Sequence, residues 1–376
     1  MPKVNSIGLR VLTYNLWHGL NPEGQLLFEE LEPQSRRQRR FQQQDQVIFK
    51  EAFPHTRGFD VAFLQEVSPL PKRLKSWLSQ DFLRGQGQMD SAGLKLFGLG
   101  PPFNLKSGLV TLTHRDWSAR KLKSLQLSGR ASISSWASLQ LEESRWALAH
   151  EMLHPQWGRV LLINVHLHHG LQWDHEVEAA LEDWVQGYKI SPHDRARVFA
   201  LLRAGSQRRL KEVQRLLRFV AEAESAYGLV ILGGDFNSTL NTEEFSRLLE
   251  AGFVEAWSQW GRGGQGLSFD PGANRANHQL LQHFHPSWLK ELEEMKREQG
   301  ASRAQAERAG GALEALEALL GQLESRPRRI DALLVKNRHP RFKPSPQSSV
   351  RLIGVEPTLG LMPSDHFGLA LELVAE

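Results

Sequence analysis

Cysteine is absent from the 376-residue chain, which excludes disulfides, thiol nucleophiles and thiolate zinc sites. Long apolar runs are absent too, so no segment is suited to span a bilayer as a helix. The first ten residues, M-P-K-V-N-S-I-G-L-R, lack the apolar stretch of a secretory signal. A cytoplasmic location is therefore expected, with secretion the alternative if the sequence is a trimmed mature form. Neither charge sign dominates. Forty-six Lys and Arg face 42 Asp and Glu, a net charge of +4. Such mild basicity favours anionic partners without marking a nucleic-acid coat. No internal repeat is evident. At 40% hydrophobic and 23% charged, the composition is that of a globular protein.

The most informative stretch is L-V-I-L-G-G-D-F-N-S-T-L, residues 229–240. Four consecutive apolar residues closed by glycines read as a strand buried on both faces. Asp235 and Asn237 follow, two apart, so in an extended segment they leave the strand on the same side. A carboxylate binds a hard cation and an amide both donates and accepts, a pairing suited to a phosphate carrying a metal. An Asx-turn is the plainer reading of the same residues.

Further strands are expected at 9–15, 59–65, 108–113, 146–153 and 160–165. Three more should follow at 330–335, 350–355 and 367–374, with a short one at 253–257. Helical patterns occupy 28–53, a segment after Pro71, 171–188 and 195–223. The run R-R-Q-R-R at 36–40 reads as a solvated basic face. In 195–223 the apolar residues share one face, and the cations fall mostly on the other. Residues 281–325, rich in Ala, Glu, Leu and Arg, read as a helical hairpin inserted into one domain spanning 1–376. Strands at both ends with helices between imply sheet packed on sheet, helices outside.

Several of these strands stop at residues suited to metal or acid–base work: Asn15, Glu66, His166, Asp235 with Asn237, Asp331, and Asp365 with His366. Each alone has an ordinary explanation as a turn cap, an ion pair or a satisfied core histidine. Together they occupy the places where rigid scaffolds present sites. Their oxygens suit a hard divalent cation. His366 beside Asp331 or Asp365 would make a general base, and a second histidine could stabilise a phosphoryl oxygen.

The motifs Y-N-L-W, L-Q-E-V, N-V-H-L-H, G-G-D-F-N, R-I-D and S-D-H, in this order from residue 9 to 374, resemble the endonuclease/exonuclease/phosphatase superfamily. The resemblance implies an α/β four-layer sandwich of two mixed β-sheets flanked by helices, and a Mg²⁺-dependent phosphoesterase with Mn²⁺ or Ca²⁺ as alternative ions. It implies that Glu66, Asn15 and Asp365 hold the metal. Asp235 and Asn237 would orient water and phosphate, and Asp331 would orient His366. His166 and His168, with K-S-G-L-V-T-L-T-H-R-D and S-F-D-P-G-A-N, look most like the neutral sphingomyelinase branch. His168 and Asn274 then become candidate substrate-binding residues, and the substrate a phosphodiester. A lipid head group, with peripheral membrane contact, leads, and nucleic acid is the runner-up as for deoxyribonuclease-I-like enzymes. A non-catalytic scaffold is the reading from another class. The chain departs from the family pattern at Ala332, where an aromatic is usual, and in its helical insertions.

Overall fold

The computed structural model describes residues 8–17, 34–54, 56, 58–80, 83–91, 107–129, 131–135, 138–141, 144–274, 303–356 and 362–376. Two six-stranded mixed sheets form its centre. The first contains β1 (Leu9–Asn15), β2 (Val61–Val67), β3 (Leu83–Ser91), β4 (Ser107–His114), β13 (Ser349–Ile353) and β14 (Gly368–Leu373), in the order β13-β14-β1-β2-β4-β3. The second contains β5 (Ser118–Ser128), β8 (Arg145–His154), β9 (Gly158–His166), β10 (Leu229–Asp235), β11 (Val254–Glu255) and β12 (Asp331–Asn337), ordered β11-β12-β10-β9-β8-β5. Between β5 and β8 lies a separate hairpin of β6 (Ala131–Ser135) and β7 (Ser138–Leu141).

Apolar residues of the facing strands fill the space between the sheets. Val11, Val61, Phe63 and Leu371 meet Leu162, Ile231, Leu333 and Val335 there. A polar bridge crosses the same layer: Gln65 Nε2 donates to Asn164 Oδ1 at 2.8 Å, and Asn164 Nδ2 donates to the carbonyls of Leu64 and Val110. Every member of that bridge is satisfied, so it fixes one sheet against the other rather than loosening the core.

The outer faces carry helices. α1 (Gln34–Gln46), its π-helical continuation Val47–Glu51, and α2 (Leu70–Leu78) cover the first sheet through Val47, Ile48, Leu70 and Trp77. α4 (Pro192–Ala223) and α5 (Glu243–Glu250) cover the second through Val213, Leu216, Val220, Phe245 and Leu248. The four layers are those the sequence implied.

A further helical unit stands apart from these layers. α3 (His175–Tyr188), the first half of α4 and α7 (Arg303–Glu324) share a core of their own, with Leu181, Trp184, Phe199, Leu202, Leu316 and Leu320 buried together. The Trp184 indole donates to the Ala312 carbonyl at 2.8 Å and pins α3 to α7. Within the expected hairpin at 281–325, with Gly310 and Gly311 midway, residues 303–324 instead form one helix, α7, unbroken at those glycines, and 281–302 lie outside the described residues. Among the described residues no helix is long and apolar enough to cross a membrane.

Three local expectations are corrected. Residues 253–257 divide into β11 and a short helix, α6 (Ala256–Trp260), because the Glu255 side chain accepts from the backbone N–H groups of Trp257 and Ser258 and caps it. In the basic run, Arg39 is exposed but Arg40 is buried, its guanidinium 4.3 Å from the centre of the Trp17 ring. On α4, Arg209 is fully enclosed rather than solvated.

Candidate active site

Strand register assembles the site. At the end of β10, Asp235 lies level with His166 of the parallel β9 on one side and with Asp331 of the antiparallel β12 on the other. In the facing sheet, Asn15 ends β1 level with Gln65. The backbone approach that allows this row is tight. A Cβ on Gly234, at φ +152°, would stand 1.9 Å from the Val165 carbonyl oxygen, so no other residue fits.

Glu66 follows Gln65, whose side chain faces the sheet interface, and simple alternation would send Glu66 to the other face. Instead β2 is irregular between Leu64 and Val67, and Glu66 takes φ +51°. That backbone conformation is costly for a glutamate, and such outliers concentrate at functional sites. It delivers the carboxylate to the cluster. Glu66 Oε1 lies 3.2 Å from Asn15 Nδ2 and 3.8 Å from His166 Nε2.

Asn15 Nδ2 also donates to Asp235 Oδ2 at 2.9 Å, while its Oδ1 accepts from the Trp17 N–H at 3.0 Å. Asn15 therefore ties two carboxylates as a donor, and its oxygen, the atom a cation would need, is turned to the backbone. Asp235 Oδ1 accepts from the Asn237 N–H at 2.8 Å, an Asx-turn with Asn237 at φ +48°. The Asn237 amide donates to the Leu167 carbonyl at 3.0 Å. The turn and the functional pair are thus the same structure.

On the opposite side of Asp235, His366 Nδ1 donates to Asp331 Oδ2 at 2.7 Å. Of the two carboxylates the sequence left open as its partner, Asp331 holds the ring. Asp331 is fully buried and its Oδ1 has no hydrogen-bond partner. The loop carrying His366 is braced from behind. Ser268 Oγ accepts from the N–H groups of Ile330 and Asp331, and the Ser268 carbonyl accepts from Phe367 N–H. Asn274 is wholly enclosed and donates to the Ser364 carbonyl at 2.9 Å. It meets the site through the Ser364–His366 loop, not at its open face.

Electrostatics mark this cluster as crowded with negative charge. Burial and then Asp331 push the Asp235 carboxyl up to about 7, with His366 opposing. Burial raises Asp365 to about 6, opposed by His366 and reinforced by Glu66. Burial alone would lower His366, yet Asp331, Asp365 and Asp235 outweigh it and raise the imidazole well above its ordinary value. Asp235, Asp331 and His366 have ligand atoms within 4.8 Å of one another, and Glu66 and Asp365 stand beside them. Clustered hard oxygens, with the Asp235 and Asp365 carboxyls raised by burial and a buried Asp331 oxygen unmatched, fit a divalent cation.

Sequence reasoning missed several residues around the site. Arg145 at the start of β8 is buried, and its Nη1 lies 2.9 Å from His166 Nδ1 and its Nη2 3.2 Å from His169 Nδ1. Arg209 binds Glu244 at 2.8 Å and the carbonyls of His168, Gly170 and Leu171, clamping the loop after β9. Glu244 in turn accepts from Ser238, one residue past Asn237. His168 is lowered by burial and then by His169, Arg208, Arg145 and Arg209, so it is a neutral ring beside these cations. No sequence signal distinguishes Arg145 or Arg209 from solvated arginines. Ser268 and Asn274 did stand out, in S-F-D-P-G-A-N, and their place is behind the Ser364–Phe367 loop.

Comparison with known proteins defines the class. The model of the endonuclease/exonuclease/phosphatase family matches residues 12–366, and the chain belongs to this family. No curated protein matches in sequence. Solved structures share the fold across almost the whole chain. A Bacteroides thetaiotaomicron mannosyl-6-phosphatase is 15% identical with a TM-score of 0.52, covering 97% of this chain and 99% of its own. Danio rerio TDP2 complexed with a single-strand DNA product is 15% identical with a TM-score of 0.51, over 98% and 99%. An endonuclease/exonuclease/phosphatase from Bacteroides vulgatus gives 14% and 0.53, over 98% and 99%. The protein is a phosphoester hydrolase, and its family's enzymes generally depend on a divalent metal.

Proposed function

We propose that the protein is a Mg²⁺-dependent phosphodiesterase that hydrolyses its substrate by in-line attack of water, with His366 as general base. The observation that carries this reading is the Asp331–His366 pair at 2.7 Å, set beside Asp235 and, through strand register, His166. Glu66 and Asp365, with Asp235 nearby, would hold the ion, which would polarise the phosphoryl oxygens and offset the carboxylate charge. The chain's own residues do the rest. Asp331 fixes the Nδ1–H tautomer of His366 and leaves Nε2 to take a proton from water. Asp235 and Asn237 orient the water and the phosphate. His166, 3.6 Å from Asp235, stabilises a phosphoryl oxygen.

The leading substrate class is a phosphodiester of the sphingomyelinase or phospholipase C type, supported by His166, His168 and the S-F-D-P-G-A-N loop. A nuclease is the second reading, and the likeness in fold to a protein solved with a single-strand DNA product favours keeping it. A substrate panel decides: sphingomyelin, lysophospholipids, plasmid DNA, RNA and inositol phosphates, each with Mg²⁺ and with chelator. Metal-dependent release of phosphocholine supports the first reading, and metal-dependent nicking supports the second. Failure on every phosphodiester, with monoester hydrolysis alone, overturns the phosphodiesterase.

A further inference from the structure

Arg209 of α4 and Glu244 of α5 form an ion pair outside the strand-end cluster, at 2.8 Å and with neither side chain more than 1% exposed. The pair joins two loops. Arg209 Nη1 donates to the carbonyls of His168 and Gly170 at 3.3 and 3.2 Å, and Nη2 to that of Leu171 at 3.0 Å. These carbonyls belong to the loop that leaves β9 at His166. Glu244 accepts from Ser238 Oγ at 3.0 Å through the oxygen that Arg209 also binds. Ser238 follows Asn237, in the loop that leaves β10 at Asp235. The other Glu244 oxygen accepts from Ser206 of α4, also at 3.0 Å. One turn beyond Arg209, the buried Glu212 accepts from His168 N–H at 2.8 Å. The loops also meet directly: Leu167 N–H donates to the Asp235 carbonyl at 2.9 Å, and the Leu167 carbonyl accepts from the Asn237 amide.

A buried ion pair is poor evidence for stability, because desolvating both charges offsets most of their attraction. Two apolar side chains could fill the same space between α4 and α5. They could not hold three loop carbonyls and a serine hydroxyl that turn inward. Without these partners the loop after β9 must rotate its carbonyls to water or leave them unpaired. Either outcome shifts the segment that carries His168 and adjoins His166. A planar guanidinium with five fixed donors suits this task, since one side chain spans a carboxylate and three carbonyls at once.

We propose that Arg209 and Glu244 are positioning residues that lock the loops after β9 and β10 to each other, and so fix His166 and Asn237 relative to the phosphate. It rests on the reading of those two residues as phosphate contacts. The contacts of the pair run to loop backbone, to the Ser206 and Ser238 hydroxyls and to each other, so it acts through the loops. α4 runs unbroken from the core of the helical unit, at Val198, Phe199 and Leu202, to the outer layer of the sandwich, at Val213 and Leu216. Arg209 lies between the two cores, and the helical unit is thereby tied to the geometry of both loops.

The test uses the full-length protein with Mg²⁺ and bis(p-nitrophenyl) phosphate, at a temperature where every variant is folded. Arg209→Lys keeps a charge beside Glu244, but a compact ammonium cannot span the carboxylate and three carbonyls. Its kcat should fall by about 10–100-fold, the scale of a small misplacement of reacting groups. KM and the calorimetric Mg²⁺ affinity should stay near those of the wild type, as for a loss confined to the transition state. Glu244→Gln should lose less, because an amide oxygen still accepts from Ser238 and Arg209. Arg195→Lys, in the outer Arg195–Glu182 pair of the same helix, should leave kcat unchanged. Hydrogen exchange gives a second readout. Amides of residues 167–171 and 236–240 should both exchange faster in Arg209→Lys, while the centres of β9 and β10 keep their protection. A merely structural pair would lower the unfolding midpoint and leave kcat of the folded variant at the wild-type value, which overturns the proposal. Faster exchange in one loop alone, or in neither, overturns it too. Should Arg209→Lys fail to fold, Glu244→Gln carries the same two readouts. Should the protein hydrolyse no diester, the phosphodiesterase reading falls separately, and exchange in the two loops still decides.

Discussion

The sandwich and the helical unit of α3, α4 and α7 solve the burial problem differently. In the sandwich, each central strand is buried on both faces, and the two sheets are bolted together by Gln65 and Asn164 as well as by apolar packing. The helical unit has one apolar core between three helices, and its outer faces carry ion pairs such as Arg195–Glu182 and Arg203–Glu178. Chemistry separates the two as well. The proposed metal and acid–base residues lie at or beside the ends of sandwich strands, where register holds Asp235 level with both His166 and Asp331. Among the described residues, the helical unit meets the strand-end cluster near Gly170, whose carbonyl accepts from Arg209 of α4. Rigid strand ends therefore present the candidate catalytic residues, and the helical unit adjoins them through the loop after β9.

The largest expected effect belongs to the sandwich. His366→Ala should lower turnover by ~10²–10⁴-fold, the usual share of general-base catalysis, with Mg²⁺ affinity nearly unchanged. Asp331→Asn should lose activity too, because an amide no longer fixes the same tautomer. The double variant should be little worse than His366→Ala, since groups acting as a unit are non-additive. Turnover of the best substrate at saturating Mg²⁺ gives the answer. If the two losses multiply, the 2.7 Å pair is not a catalytic unit. Glu66→Gln comes next. It should weaken Mg²⁺ binding in a calorimetric titration and remove most activity while the fold survives. Undiminished affinity in the folded variant would take Glu66 out of the metal site.

The same contrast explains what could be read from the chain. Central strands announced themselves because double burial leaves continuous apolar runs, as in L-V-I-L before Gly233. Two of the edge strands, β3 and β5, did not. β5, S-A-R-K-L-K-S-L-Q-L-S, alternates lysines with half-buried residues, and β3 is polar and glycine-rich. Motif order located the candidate site residues, because strand ends are local in sequence. Arg145 and Arg209 stayed hidden, since nothing local tells a buried arginine from a solvated one. The helices of the inserted unit were visible as helices. Their mutual partnership was not, because an apolar face states that it will be covered and not by what.

A core deletion in the helical unit should have a smaller and more local effect than one in the sandwich. Leu316→Ala removes a fully buried side chain from between α3, α4 and α7, at a typical cost of ~2–5 kcal/mol. Hydrogen exchange should accelerate in α3 and α7 while amides of β9 and β10 keep their protection. Leu162→Ala, between the sheets, should instead lower the protection of all slow amides together. Uniform loss in both variants would show that the two regions unfold as one, and would break the division drawn between them.

The smallest effect is a pH dependence that should arise in the sandwich. His154, at the end of β8, is 1% exposed and stacks on Trp117 with centroids 5.0 Å apart. Its Nδ1 accepts from the N–H groups of Gln156 and Trp157 at 3.2 and 3.3 Å, so the ring must be neutral at that atom for the turn to form. Burial lowers it to about 4, with Asp60 opposing. The unfolded chain, near 6.5, therefore binds the proton first as pH falls. Above pH 6.5 both states are neutral and the contribution is complete; between 6.5 and 4 stability is lost progressively, about 2 kcal/mol by pH 5 from this residue. His154→Asn keeps an acceptor and removes the titration. Its denaturant midpoint should fall less steeply than that of the wild type between pH 7 and 5. In the helical unit, Arg195 holds the Glu182 carboxyl below its ordinary value, so that pair persists through this window. Acid in this range should thus weaken the sandwich around β8 before it disturbs the Arg195–Glu182 pair. Parallel pH slopes for wild type and His154→Asn would show that the buried ring is not the source.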